Sequence, residues 1–430
     1  MEIVWDNDPD PTRYEKARTK HLFNALIPTR YPAAIASVKS ESDIIDAVNL
    51  AVTKKLQISI RAGGHSYAAW SVRPRALLVD MGGYRECEFE DQTGVVKVSP
   101  SVTGRELSEY LSRRGRVFPV GHCPDVGLGG FLLGGGMGWN QPNVAWACEH
   151  IIAIDVVTAS GELLRADARQ NRDLFWAARG GGPAFPGVVT RFHLQTLPAP
   201  RIMRSSGYVY TIGHYHTAFN WALKDGIEEP CITIALIAFG GDEEHIATIL
   251  QGVEDTSPPE PVSHWFNKPT TLSEQFDLKA KSYPIRHRYY VDNAFLKNDA
   301  DVVSILERAF TTLPTRKSLA LWTSLIPASR RELPDMALSM QSDHYFALYA
   351  IWEDATQDSR CMTWVDEVMQ DVARESVGSY LGELDFRSRT AVYWGEDQSL
   401  RLKDIKRRWD PENRFCGCLG LEGADQSDTS

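Results

Sequence analysis

The stretch Val120-Gly121-His122-Cys123-Pro124-Asp125-Val126-Gly127-Leu128-Gly129-Gly130-Phe131-Leu132-Leu133-Gly134-Gly135-Gly136-Met137-Gly138 decides how this chain is read. Eight of its 32 glycines fall between positions 121 and 138. Such a segment adopts positive φ repeatedly and brings bare backbone N–H groups against an anion, the way proteins cradle a pyrophosphate. A glycine-rich turn that only packs closely has the same density, so the neighbouring loops carry the decision. Arg61-Ala62-Gly63-Gly64-His65-Ser66 follows the β-branched run Ile58-Ser59-Ile60, and Arg179-Gly180-Gly181-Gly182-Pro183 precedes Val188-Val189-Thr190. Glycines at strand ends are where nucleotides bind. None of the three loops reads Gly-x-Gly-x-x-Gly, and Gly-x-x-x-x-Gly-Lys-Ser/Thr is absent, so neither a Rossmann fingerprint nor a P-loop holds the nucleotide.

Outward from these loops, short β-branched runs alternate with helical patterns through the first 200 residues. Ser40-Glu41-Ser42-Asp43 opens a helix over 42–54 with Ile44, Ile45, Val48 and Val52 on one face, and 56–61, 76–80 and 95–98 read as strands. Thr103-x-x-Glu106 opens a second helix whose Leu107, Tyr110 and Leu111 face the core. The nearly continuous apolar run 151–158 has the mark of a strand covered on both faces, and Ser160-Gly161 turns it into a partner. Beyond the prolines at 198 and 200, strand candidates at 207–212, 232–239, 319–326 and 345–352 with helices between them predict a second α+β domain. Pro258-Pro259-Glu260-Pro261 reads as a surface loop, 399–408 as a last helix ahead of Pro411, and 424–430 as a disordered polar tail.

The 430 residues are 43% apolar, 10% aromatic and 24% charged, an ordinary globular composition. Forty-six Lys and Arg against 56 Asp and Glu give a net charge of −10, the wrong sign for a phosphate backbone, so nucleic acid is excluded as a partner. No apolar run approaches the ~18 to 20 residues of a membrane span. The start, Met1-Glu2-Ile3-Val4-Trp5, has no signal-peptide character, and no Asn begins an Asn-x-Ser/Thr acceptor, so the expectation is an intracellular protein away from membranes. Seven dispersed cysteines, at 87, 123, 148, 231, 361, 416 and 418, form no disulfide framework. Cys416-Gly417-Cys418 alone supplies too few ligands for zinc, and no metal is predicted.

Arg61-Ala62-Gly63-Gly64-His65-Ser66-Tyr67, the run 120–131, Leu133-Gly134-Gly135-Gly136-Met137-Gly138 and Leu174-Phe175-Trp176-Ala177-Ala178-Arg179-Gly180-Gly181-Gly182 together resemble the berberine-bridge-enzyme-like branch of the vanillyl-alcohol-oxidase/p-cresol-methylhydroxylase (PCMH) flavoproteins. Trp409-Asp410-Pro411-Glu412-Asn413-Arg414-Phe415 resembles that branch's C-terminal Asp-Pro-x-Asn-x-Phe signature. The motifs stand in the family's order and span about 28 to 418. The resemblance implies an α+β fold with a PCMH-type FAD-binding domain of two α+β subdomains over 1–200 and a substrate domain with an antiparallel sheet and flanking helices over 201–378. A segment over 379–420 is expected to return to the FAD domain, followed by a disordered tail over 421–430.

The resemblance also implies FAD bonded twice, through His65 to the ring 8α-methyl and through Cys123 to ring carbon 6. Read alone, His65 fits a turn histidine and Cys123 a buried inert thiol. Arg61, Ala62, Gly63 and Gly64 belong to the loop motif, while Ser66, Val126, Gly127, Gly130, Gly134, Gly138, Val189 and Asn413 match positions that line the pyrophosphate, adenine or flavin ring in the family. Val126 resembles the small residue of members that react with oxygen. This implies an oxidase with O2 as electron acceptor and hydrogen peroxide as product.

Oxidation of an alcohol or amine needs a base beside the carbon that gives up hydride. Many family members place a tyrosine there in a Tyr-x-Asn-Tyr stretch, where this chain reads Tyr380-Leu381-Gly382-Glu383-Leu384-Asp385-Phe386. A free Glu titrates near ~4.3, and burial over the flavin raises it towards a useful value. Glu383 is therefore the first candidate base and Asp385 the second, with Tyr380 or Tyr67 as hydrogen-bond partners. A solvated strand-end carboxylate is the other reading of Glu383. Tyr393-Trp394-Gly395 is expected beneath the flavin in a structural role, and His122 is a candidate for the pocket wall. Trp322, Tyr345, Tyr349 and Trp352 are substrate-selecting candidates. Tyr345, Ala347, Tyr349 and Ile351 alternate with Phe346, Leu348, Ala350 and Trp352, so one set should meet the flavin and the other the helices. The implied substrate is an alcohol, sugar hemiacetal or related small molecule. A dehydrogenase or oxidative cyclase of specialised metabolism, or a flavin-binding protein without turnover, are the alternatives.

Overall fold

Ser40 takes the N–H of Asp43 and starts the helix Glu41–Lys54, which buries Ile44, Ala47, Val48 and Ala51 rather than Val52. The computed structural model describes residues 1–225, 233–386 and 388–417; Cys231, Cys418 and the tail 421–430 lie outside these. The helix packs into a core shared by two sheets. One sheet has the strand order Glu2–Trp5, Ala34–Ser37, Leu77–Asp80, Ile58–Arg61, its last three strands parallel. The other is antiparallel, ordered Cys87–Glu90, Val95–Val98, Val188–Gln195, Ile151–Val157, Leu163–Asp167. Within Ile151–Val157 only Ile152 faces out, and in the helix Gly104–Ser112, begun by a full capping box, Tyr110 is half-buried while Leu107 and Leu111 are buried.

The second half departs from the expectation of one sheet. Thr233–Gly240, Ile202–Val209 and Ser263–Pro269 form a three-stranded antiparallel sheet. Leu319–Ser324, His344–Trp352, Arg288–Leu296 and Ser376–Gly378 form a separate four-stranded one. The strand expected over 207–212 lies over Ile202–Val209 instead, taking in Ser205 and Ser206. A Cβ at Gly207 would stand 2.1 Å from the Trp265 ring, so only glycine lets that ring cross the strand. Arg288–Leu296 escapes an apolar pattern because Asp292 and Asn293, both buried, sit in its middle.

Along His344–Trp352, Tyr345, Ala347, Tyr349 and Ile351 join the larger core, while Phe346, Leu348, Ala350 and Trp352 pack with residues of the helices Val302–Thr311 and Asp358–Val372. After the helix Glu396–Trp409, the buried Asp410 carboxylate accepts the N–H groups of Arg414 (2.6 Å) and Phe415 (2.9 Å). This turn lays the chain along Ile58–Arg61, with Ile58 N–H on Arg414 O and Cys416 N–H on Ile58 O. Among the described residues no helix is long and apolar enough to cross a membrane.

In the five-stranded sheet, Arg165 (2.8 Å) and the buried His193 (3.0 Å) converge on Asp155. Burial works to raise the Asp155 carboxyl, but hydrogen bonds from His193 and Arg165 outweigh it and bring it from 3.8 down to about 2. Asp155→Asn is therefore expected to lower stability at neutral pH by about 2 kcal/mol. Because the folded carboxyl is depressed, this contribution is complete above about pH 4 and is lost as pH falls through about 2. Denaturant melts at neutral pH and near pH 3 check it: the gap between parent and variant should narrow on acidification, and a constant gap refutes the assignment.

Candidate active site

The two glycine loops meet backbone to backbone. A Cβ on Gly63 would stand 2.7 Å from Gly127 N, and one on Gly127 would stand 2.8 Å from Gly63 Cα. The loops thus close into one surface facing a cavity of about 930 Å³. Arg61, Ala62, Gly63, Gly64, His65, Ser66, Cys123, Val126, Gly127, Gly130, Gly134 and Val189 all lie on its wall. A Cβ on Gly130 has nothing within 4 Å, so the surface carries an open cradle, and Ser59 Oγ on the same wall is buried with no hydrogen-bond partner. The size, the bare backbone and the open cradle fit FAD.

Several candidates stand elsewhere. Gly138 lies behind the wall, where a Cβ would stand 2.2 Å from Pro119 O, so it serves close packing. Asn413 belongs to the turn after Asp410, and Phe415 and Cys416 reach the cavity in its place. Asp385 lines a separate small cavity with Leu26, Ile27 and Tyr290, the turn over 381–386 carrying it away from Glu383. Trp322 and Trp352 pack on the helix side of their sheet, as the alternation along each strand dictates.

His65 stacks on Phe23 with centroids 3.9 Å apart and planes at 21°, and meets Tyr67 edge-on at 5.7 Å. Its Nε2 lies 3.3 Å from Asp125 Oδ1. Cys123 lies on the same cavity wall as His65 and Tyr67, whose rings, with that of Tyr289, surround Phe23. His122 is on the wall, edge-on to Trp139 at 4.6 Å. Tyr393 packs on Phe386 and Trp394, and the Trp394 indole donates to Gly180 O at 2.8 Å.

Glu383 is half-buried on the opposite wall and, among the described residues, is the one acidic side chain lining the cavity. Burial raises its carboxyl above the ordinary value, partly offset by hydrogen bonds from Tyr345 and Tyr349 and by the charges of His65 and Lys279. The partners expected at Tyr380 and Tyr67 are thus Tyr345, whose hydroxyl donates to Glu383 Oε2, and Tyr349. The Tyr380 hydroxyl is turned to the N–H of Met137 in the glycine stretch (3.3 Å), and Tyr67 packs by its ring against Tyr349. Sequence reasoning missed Asn293, which is fully buried. Its Nδ2 donates to Tyr380 O (3.0 Å) and Glu383 O (2.9 Å), and its Oδ1 accepts from Tyr380 N (2.7 Å). Also missed were Ile237, Phe239, Trp265 and Leu278, an apolar wall built by the three-stranded sheet and the helix Leu272–Ser282.

Residues 32–167 match the family model described as FAD binding domain, and residues 379–420 the model described as berberine and berberine like. The chain is 34% identical over 437 residues to FAD-linked oxidoreductase nodO of Hypoxylon pulicicidum, covering 97% of each chain. It is 36% identical over 444 residues to FAD-linked oxidoreductase janO of Penicillium janthinellum, covering 98% of each. Its fold matches that of glucooligosaccharide oxidase from Acremonium strictum, whose FAD is described as 6-S-cysteinyl and 8α-N1-histidyl, with a TM-score of 0.81, 19% identity, and 98% and 97% of the two chains covered.

Gly127→Ala is expected to destabilise the protein by about 1–3 kcal/mol, since only backbone stands in the path of the new Cβ. The purified variant should carry less flavin per polypeptide, read from its visible absorbance against that of the peptide. A full flavin complement with an unchanged melt would show that the loops tolerate separation.

Proposed function

Because the chain belongs to the berberine-like FAD-linked oxidoreductases, we propose that it oxidises an alcohol, sugar hemiacetal or related small molecule, with FAD bonded through both His65 and Cys123 and O2 as electron acceptor. When bound, the flavin accepts hydride at ring N5 and passes the electron pair to dioxygen, giving hydrogen peroxide. In this reading residues 1–200 and 379–420 hold the cofactor and 201–378 shape the substrate side.

Glu383 carries the reading, as the single carboxylate on the cavity wall among the described residues. Its raised pKa gives it the proton affinity a base needs, and the hydroxyls of Tyr345 and Tyr349 keep it oriented. A substrate hydroxyl that joins this cluster has its proton taken by Glu383 as hydride leaves the adjoining carbon. Val126, on the cavity wall, resembles the small residue of family members that react with oxygen, which supports dioxygen as the acceptor. The apolar wall of Ile237, Phe239, Trp265, Leu278 and Ile326 favours a bulky, largely apolar substrate over a sugar. That wall also supports a second reading, a dehydrogenase or oxidative cyclase of specialised metabolism, which peroxide yield under air separates from the first.

Glu383→Gln is expected to keep the flavin colour while slowing its anaerobic reduction by at least ~10²-fold. In the parent, reduction should slow as pH falls through the raised Glu383 pKa, and the variant should lack that limb. An unchanged rate removes Glu383 as the base. For attachment, His65→Ala and Cys123→Ala should each keep flavin with acid-precipitated protein, and the double variant should release it; release from either single variant refutes the double bond.

A further inference from the structure

We propose that Asp125 is a positioning residue for covalent attachment at His65: its carboxylate holds the ring with the proton on Nε2, so that Nδ1 presents its lone pair to the cavity. The inference rests on the proposed histidyl bond. Three observations converge on it. Asp125 Oδ1 lies 3.3 Å from Nε2, within ion-pair reach, and Nε2 is buried with no other polar partner among the described residues, so this carboxylate is the group placed to take its proton. The Phe23 ring stacked at 3.9 Å fixes the plane of the imidazole, and Phe23 is itself tied to the loop by its N–H on Gly64 O (3.1 Å). The rival role for Asp125, bracing Arg105, is taken by Asp277, which pairs with that guanidinium at 2.7 Å.

Burial acts to raise the Asp125 carboxyl, but its interaction with His65, with the charge of Arg105, brings it below its ordinary value, so it is ionised at neutral pH. An anion beside Nε2 both selects the tautomer and stabilises positive charge on the ring. Attachment forms one bond, Nδ1 to the 8α carbon, and breaks one C–H bond of the methyl group. The imidazole, cationic once Nδ1 is substituted, gives up its Nε2 proton towards Asp125. The two electrons released enter the flavin and pass to dioxygen, which leaves as hydrogen peroxide with two protons.

The test uses the Cys123→Ala protein, in which His65 is the only point of attachment, with Asp125 intact, Asp125→Asn or Asp125→Leu. Each is saturated with FAD under air, and flavin retained by acid-precipitated polypeptide is followed in time beside the FAD content of the native protein. With Asp125→Leu, attachment should slow at least about 10-fold at unchanged total FAD. Asp125→Asn, which keeps an acceptor without the charge, should fall between. Attachment by Asp125→Leu at the parent rate overturns the proposal. Should the leucine variant fail to hold FAD, Asp125→Asn decides, since attachment at the parent rate there would assign the role to shape alone and overturn it equally. Flavin released by the Cys123→Ala parent refutes the histidyl bond itself, a failure visible before any Asp125 variant is made.

Discussion

The contact between Gly63 and Gly127 is the constraint on which the cavity depends. Each residue's missing Cβ is space that the other's backbone occupies, so the loops 61–66 and 121–130 form one surface only while both positions are glycine. Each loop is anchored from behind. The buried Arg61 guanidinium pairs with Asp80 on the neighbouring parallel strand and donates to the carbonyls of Ala17 and Arg18. The other loop is held by the N–H of Gly104 on Val126 O and the N–H of Gly129 on Pro100 O. Two side chains 58 positions apart, His65 and Cys123, are thereby brought to one cavity.

The opposite wall solves a different problem, holding a carboxylate in a place where burial disfavours its charge. Glu383 is held at both ends. Its backbone carbonyl is fixed by Asn293, and its carboxylate faces the hydroxyls of Tyr345 and Tyr349. Asn293 is in turn steadied by its neighbour Asp292, whose carboxylate takes two hydrogen bonds from Arg389 while that guanidinium also reaches Asn293 O. A buried amide with three bonds to one short segment leaves that segment few alternative conformations, and removing it strands polar groups out of reach of water.

This division explains what was legible in the sequence. The glycine loops could be read because the backbone geometry they need admits few residues, and the helix starts because Ser40 and Thr103 advertise the N–H groups they take. Arg288–Leu296 could not, because the buried Asp292 and Asn293 that make it useful also interrupt its apolar run. The strand expected over 207–212 runs instead over Ile202–Val209, where the Trp265 ring is laid across Gly207. The tyrosines beside Glu383 were visible as an aromatic alternation, but their hydrogen bonds depend on a loop that returns from 35 or so residues later, which no local pattern encodes.

Trp352 shows how a residue off the cavity wall still serves the site. Side chains alternate along His344–Trp352, so a slip of one position would turn Phe346, Leu348 and Ala350 into the cavity and leave Glu383 without its hydroxyls. The register is therefore as important to the Glu383 cluster as any residue in it. On the strand's outer face, the Trp352 indole donates to Asp358 at 2.7 Å, and Asp358 takes two further bonds from Arg288, the residue paired with Trp352 across the ladder. One carboxylate at the start of the helix Asp358–Val372 thus clamps both members of a single rung. A ladder clamped at one rung can only run on in step, Tyr349 against Val291 and Tyr345 against Phe295, which delivers both phenols to the cavity side where Glu383 waits. The helix-side network sets the geometry of the Glu383–tyrosine cluster through the two-residue period of the strand, from the other face of the sheet.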